Sequence, residues 1–193
     1  MVVIVDLDGT LVTCNSFTEF VKFMFRRYGR LRFRLGWTVI LRKMRLISHH
    51  EAKERIVALC SATASEKDIN DFTEYLTKKV NPRVMSIVQS ADRRVLATAA
   101  PSIYAVPLAE KLDIGECVAT EPGCGENMGE LKLRNVQEAG VVFSSDTVVI
   151  TDHCDDLPLL RANADGRNYI VMSNKRLKMS DKRLKINYEA VHK

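Results

Sequence analysis

Four apolar residues, Val2-Val3-Ile4-Val5, run without a break into Asp6-Leu7-Asp8-Gly9-Thr10-Leu11. An unbroken apolar run of this length reads as a strand buried on both faces, which belongs in a parallel sheet covered by helices. Open α/β sheets bind ligands at the carboxyl ends of their strands. The strand therefore delivers two carboxylates, two residues apart, to the edge where ligands bind. Two acids so close repel each other, and a divalent cation is the usual offset. One carboxylate can then attack phosphorus while the other handles a proton. Asp and Gly also build ordinary turns, so the chemical reading needs support from more distant segments of the chain.

After Leu11 the apolar period lengthens from strand to helix. Phe17, Phe20, Val21, Met24, Phe25 and Tyr28 follow helical spacing, with Asn15 or Ser16 as N-cap. Gly29 interrupts, and Phe33, Trp37, Ile40, Leu41 and Met44 form a second stripe. Ser48 to Glu51 reads as a capping box, Ser65 to Asp68 as another helix start, and Asn81-Pro82 as a stop. Residues 13–81 are therefore expected to be a helical insertion, with the stripe Phe17, Phe20, Met24, Phe33 and Trp37 as helix–helix core. From Arg83 the pattern returns to α/β alternation. Strands are expected at Val95–Ala97, Val118–Ala119, Val148–Ile150 and Tyr169–Met172. Ser102 is expected to cap a helix, and Gly140 to end one. The fold expected is α/β, a doubly wound, mostly parallel sheet, with residues 1–12 and 82–193 as core and 13–81 as an inserted helical cap.

The charge is uneven. Arg26, Arg27, Arg30, Arg32, Arg34, Arg42, Lys43 and Arg45 crowd one segment, and a second basic cluster spans Lys175 to Lys185. Solvated basic faces account for both. Attraction of a phosphorylated substrate, or peripheral contact of Arg26–Arg45 with an anionic membrane, stays open. No nucleic-acid motif occurs, so no nucleic acid is expected as partner. The five cysteines follow no metal-type spacing, and no secretory pattern precedes the first strand. Reduced thiols and a cytoplasmic location are the expectation. Whether the chain is a monomer or a dimer is not legible.

Three later segments complete a constellation. Val95-Leu96-Ala97 leads into Thr98-Ala99-Ala100-Pro101, a hydroxyl and free N–H groups at a strand end, suited to a phosphate oxygen. Lys132 lies in Gly129-Glu130-Leu131-Lys132 at a helix start, and Val148-Val149-Ile150-Thr151 leads into Asp152-His153-Cys154-Asp155-Asp156. So many acids together call for a cation. In this order the segments resemble the four motifs of the haloacid dehalogenase superfamily, in its phosphoserine-phosphatase-like branch, and the insertion resembles that family's first type of cap.

The resemblance implies a Mg²⁺-dependent phosphatase acting through an aspartyl-phosphate on a small phosphorylated metabolite. It implies Asp6 as nucleophile and Asp8 as general acid and base. Mg²⁺ would be held by Asp6, the Asp8 carbonyl and Asp152. Thr98 and the Ala99 N–H would hold phosphate oxygens, with Lys132 neutralising Asp6 and the phosphoryl group. Gly9 would permit the close turn, Thr10 would fix the loop, and Asp156 would orient water or hold Lys132. His153 departs from the branch's usual Ser and reads as a locally satisfied loop histidine, with Asp155 an exposed extra acid. Authentic phosphoserine phosphatases carry Glu nine positions after the nucleophile; Asn15 stands there, which argues against phosphoserine as substrate. Three alternatives stay open: a lipid-phosphate phosphatase of the phosphatidylglycerophosphate kind at a membrane surface, a phosphotransferase, and a non-catalytic phospho-ligand binding module.

Overall fold

The computed structural model describes residues 1–172 and 188–192. The second basic cluster, Lys175 to Lys185, lies outside the described residues. Six parallel strands form one sheet: β1 (Val2–Val5), β2 (Arg93–Pro101), β3 (Glu116–Thr120), β4 (Thr147–Thr151), β5 (Arg167–Met172) and β6 (Glu189–His192). Their order is β3-β2-β1-β4-β5-β6. The chain winds outward from β1 through β2 to β3, then returns to start again at β4 on the other side. β1 and β4 thus flank the point where the winding reverses, and the crevice at their carboxyl ends is where such sheets bind ligands.

Both faces of the sheet are covered, which explains the unbroken apolar strands. Val3, Val5, Leu96, Val148 and Ile150 pack on one side with α5 (Pro82–Gln89) and α6 (Ser102–Lys111), through Val84, Val88, Tyr104 and Leu108. Ile4, Val95, Ala97 and Val149 pack on the other with α7 (Gly129–Glu138) and α8 (Leu157–Ala162), through Val136, Leu159 and Leu160. Side chains alternate along each strand, so neighbouring residues serve opposite layers.

Between β1 and α5 stand four helices: α1 (Ser16–Arg27), α2 (Gly29–Lys43), α3 (His49–Ser61) and α4 (Glu66–Thr77). Asn15 is the N-cap of α1, its side chain accepting the Thr18 N–H at 2.8 Å. Capping boxes open α3 at Ser48 and α4 at Ser65. The entering and leaving chains meet at the base, where the Thr13 N–H donates to the Lys79 carbonyl and the Asn81 N–H to the Leu11 carbonyl. An aromatic cluster of Phe20, Phe72 and Tyr104 ties α1 and α4 to α6, with centroids 4.9 to 5.3 Å apart.

Several local expectations are corrected. Phe20 and Met24 are buried, but Phe33 and Trp37 face solvent; α2 instead buries Leu31, Leu35 and Thr38. Two apolar faces exist on that helix, and periodicity alone cannot say which one meets the neighbours α1 and α3. β2 runs on through Thr98 to Pro101 with a register shift after Ala97, so Pro101, not Ser102, precedes α6. Ala139 is the C-cap of α7, with Gly140 one residue beyond at φ +77°. β6 adds a strand beyond those the sequence predicts, since Glu189–His192 carries no clear alternation of apolar and polar residues. No helix among the described residues is long and apolar enough to cross a membrane.

Candidate active site

A cleft of about 430 Å³ opens at the carboxyl ends of β1, β2 and β4, lined by Asp6, Asp8, Gly9, Thr98, Ala99, Lys132, Asp152 and Asp156 among others. Eight of the nine residues singled out from the sequence line it; the ninth, Thr10, is buried beside it and donates from Oγ1 to Asp152 Oδ1 at 3.3 Å. Topology brings them together. Asp6 follows β1 and Asp152 follows β4, and these strands are paired from Val2↔Thr147 to Val5↔Ile150.

The loop after β1 is held by its own backbone. The Leu11 N–H donates to the Asp6 carbonyl and the Val12 N–H to the Leu7 carbonyl. Gly9 has φ +77°, which favours glycine, and a Cβ there would lie 2.0 Å from Asp152 Oδ2. The two acidic loops therefore touch across the one residue that lacks a side chain.

Lys132, on the first turn of α7, is buried. Its Nζ lies 2.9 Å from Asp6 Oδ1 and 2.6 Å from Asp156 Oδ1. Asp156 is held from behind, since Thr151 Oγ1 donates to its Oδ2 at 2.7 Å. Burial by itself would depress the lysine's pKa, but the carboxylates of Asp6 and Asp156 overcome it and hold the ammonium above its ordinary value. Burial pushes the Asp6 carboxyl up, Lys132 opposes it, and Asp156 and Asp8 push the same way as burial. Asp8 is also raised by burial, against hydrogen bonds from Ser16. The Ser16 N–H, at the start of α1, donates to Asp8 Oδ1 at 2.7 Å, and the Ser16 hydroxyl meets the buried Tyr104 hydroxyl at 3.1 Å.

The donor set fits a hard divalent cation. Asp6, Asp8 and Asp152 bring oxygen donors only, Asp152 is seated against Gly9, and the one buried ammonium of the cleft pairs with two carboxylates, Asp6 and Asp156. His153 is satisfied locally: its Nδ1 accepts the Asp155 N–H at 3.2 Å. Both residues are exposed, as expected of a loop histidine and an extra acid.

Thr98 is buried, its Oγ1 accepting the Ala100 N–H at 3.0 Å. Behind it stands Asn127, which sequence reasoning missed. Its amide donates to the carbonyls of Thr98 at 3.0 Å and Val118 at 2.8 Å, and its Oδ1 accepts from Asn135 at 3.0 Å. Its N–H donates to Thr120 Oγ1, which in turn donates to the Ala99 carbonyl. Asn127 thus ties the Thr98 end of β2 to β3 and to Asn135 of α7. The sequence signal was only an Asn in a Gly-containing loop, which reads as a turn former. Ser16 and Tyr104 were likewise missed as supports of Asp8.

A family model described as haloacid dehalogenase-like hydrolase matches residues 3–161. Among solved structures, a protein of unknown function from Bordetella pertussis Tohama I is 19% identical, with a TM-score of 0.67, over 88% of this chain and 89% of that one. A phosphoserine phosphohydrolase-like protein from Francisella tularensis subsp. tularensis SCHU S4 is 17% identical, with a TM-score of 0.57, over 89% and 87%. A predicted phosphatase from Clostridium acetobutylicum is 18% identical, with a TM-score of 0.60, over 97% and 92%. At these identities the likeness concerns the fold. No curated protein matches the sequence.

Proposed function

The chain belongs to the haloacid dehalogenase-like hydrolase family, and we propose that it releases phosphate from a small phosphomonoester, with Asp6 as nucleophile. The observation that carries this reading is the buried Lys132 ammonium, 2.9 Å from Asp6 in a cleft that also holds Asp8 and Asp152. An anionic nucleophile approaching an anionic phosphoryl group needs that neutralisation.

Asp6, the Asp8 main-chain carbonyl and Asp152 would hold Mg²⁺. When bound, the ion supplies Lewis-acid polarisation of the phosphoryl oxygens. The chain's own residues do the rest. An Asp6 carboxylate oxygen bonds to phosphorus, the bond to the ester oxygen breaks, and Asp8 gives that oxygen its proton. Asp8 then takes a proton from water as the water oxygen attacks phosphorus. The Asp6–phosphorus bond breaks, and phosphate leaves. Burial raises the Asp8 carboxyl, which suits a group that must hold a proton before giving it up. Thr98 and the Ala99 N–H, fixed by Asn127, would orient phosphate oxygens. Lys132 stays charged throughout, paired with Asp156.

Phosphoserine is disfavoured as substrate. Asn15, the position where a carboxylate would meet a substrate ammonium, is neutral, and its side-chain oxygen caps α1. The test is hydrolysis of an aryl phosphate with Mg²⁺, with EDTA, and by Asp6→Asn. Phosphate release should require the metal and vanish in the variant. Undiminished release by Asp6→Asn would overturn the nucleophile assignment, and no release by the unaltered chain would favour a binding module.

A further inference from the structure

Between Phe20 and His50 the chain carries nine Lys or Arg residues and no Asp or Glu. The centre of this stretch is α2, and its solvent face is apolar. Phe33 is 84% exposed, Trp37 61%, Ile40 46% and Met44 63%. They recur at intervals of four, three and four residues, which puts them on one line along a helix. The buried residues Leu31, Leu35 and Thr38 lie on the opposite side, against the rest of the helical insertion. At 100° per residue, Arg30 and Arg34 flank the exposed line on one side, and Arg32 and Lys43 on the other; all four are exposed. Arg32 also lies over the ring of Phe25, 5.5 Å from its centroid, which carries the patch onto α1.

We propose that this face of α2 docks on an anionic lipid bilayer, with Phe33, Trp37, Ile40 and Met44 entering the interfacial layer and the flanking basic side chains meeting lipid phosphates. An apolar line between two cationic rows is the layout of a helix lying in a bilayer interface. A large exposed apolar patch marks an interaction surface, and its charge selects the occupant. A second copy of the chain, meeting this face with its own, would oppose arginine to arginine. A nucleic acid would engage the arginines and leave Ile40 and Met44 in water. A bilayer satisfies both features at once, through acyl boundary and anionic headgroups. The proposal rests on none of the catalytic assignments. It concerns where the protein works.

Trp37 is the only tryptophan of the chain, so its fluorescence reports the proposed contact directly. The experiment adds phosphatidylcholine vesicles with and without phosphatidylglycerol to the full chain, and records emission, quencher access and co-sedimentation. With the anionic vesicles, Trp37 emission should shift to the blue and lose access to a soluble quencher. Raising salt to about 0.5 M should release most of the protein. Phe33→Glu with Ile40→Glu should weaken co-sedimentation by roughly tenfold or more, with aryl-phosphate hydrolysis unchanged. Equal response to neutral and anionic vesicles, or none to either, overturns the proposal. So does a blue shift produced by RNA alone, or by raising protein concentration without lipid.

Discussion

Gly9 and Asp152 are in contact across the reversal point of the sheet: a methyl group on Gly9 would stand 2.0 Å from Asp152 Oδ2. The contact joins the loop that carries Asp6 and Asp8 to the loop after β4. Gly9→Ala must therefore move Asp152 or the loop, and it also forces alanine into a conformation that costs about 1 kcal/mol or more. The expected outcome is loss of most phosphatase activity with a higher Mg²⁺ requirement. An unchanged Mg²⁺ titration in this variant would show that the close approach does not set the metal site.

Lys132 and Asp156 form a buried pair with Asp6 as third member. Removing only the ammonium, as in Lys132→Met, strands two buried carboxylates and should cost about 3 to 5 kcal/mol. Adding Asp156→Asn removes one stranded charge and should return part of that stability, with no return of activity. Urea unfolding beside a phosphate-release assay measures both. If the double variant is no more stable than the single one, Asp156 is not paired as described.

Asn127 touches no reacting group, yet it holds Thr98 and Val118 in place. Asn127→Leu takes one donor from each of these carbonyls, at about 1 to 3 kcal/mol for each group left unsatisfied. Weakened phosphate binding is the expected signature, seen as a higher KM for an aryl phosphate and a higher inhibition constant for inorganic phosphate. A loss of stability with KM unmoved would reduce Asn127 to a structural role.

Acid should loosen the helical insertion through Asp68. Burial opposes ionisation of this carboxyl, but hydrogen bonds from Ser65 and Tyr28 and the charge of Arg27 hold its pKa below the ordinary 3.8. The folded state therefore binds this proton less readily than the unfolded chain. Its stabilisation is complete above the ordinary value and lost as pH falls through the depressed one. Thermal unfolding of the unaltered chain should fall on acidification below about pH 4, and Asp68→Asn should flatten that limb. Parallel limbs in the two proteins would assign the acid sensitivity elsewhere.

Much of the site was legible because its signals are local. A strand, an acidic turn and a glycine are adjacent in sequence, so Asp6, Asp8 and Gly9 could be read as a unit, and Asp152 as the matching acid after another apolar run. Asn127 was not legible. Its partners Thr98 and Val118 are 29 and 9 residues away, and an isolated Asn in a loop has many uses. Ser16 looked like a helix cap, and only the packing of α1 against the loop after β1 turns its N–H toward Asp8.

That apolar runs become buried strands and that acids gather at their ends follows from the order of residues alone, because side-chain polarity and local turn chemistry act over a few residues. That β1 and β4 lie side by side, that Lys132 is buried between two carboxylates, and that α2 turns Phe33 and Trp37 outward emerges in the folded chain. Each of these outcomes depends on which surfaces cover one another when the chain closes. Contacts between residues far apart in sequence set that closure, and no short stretch of the chain contains them.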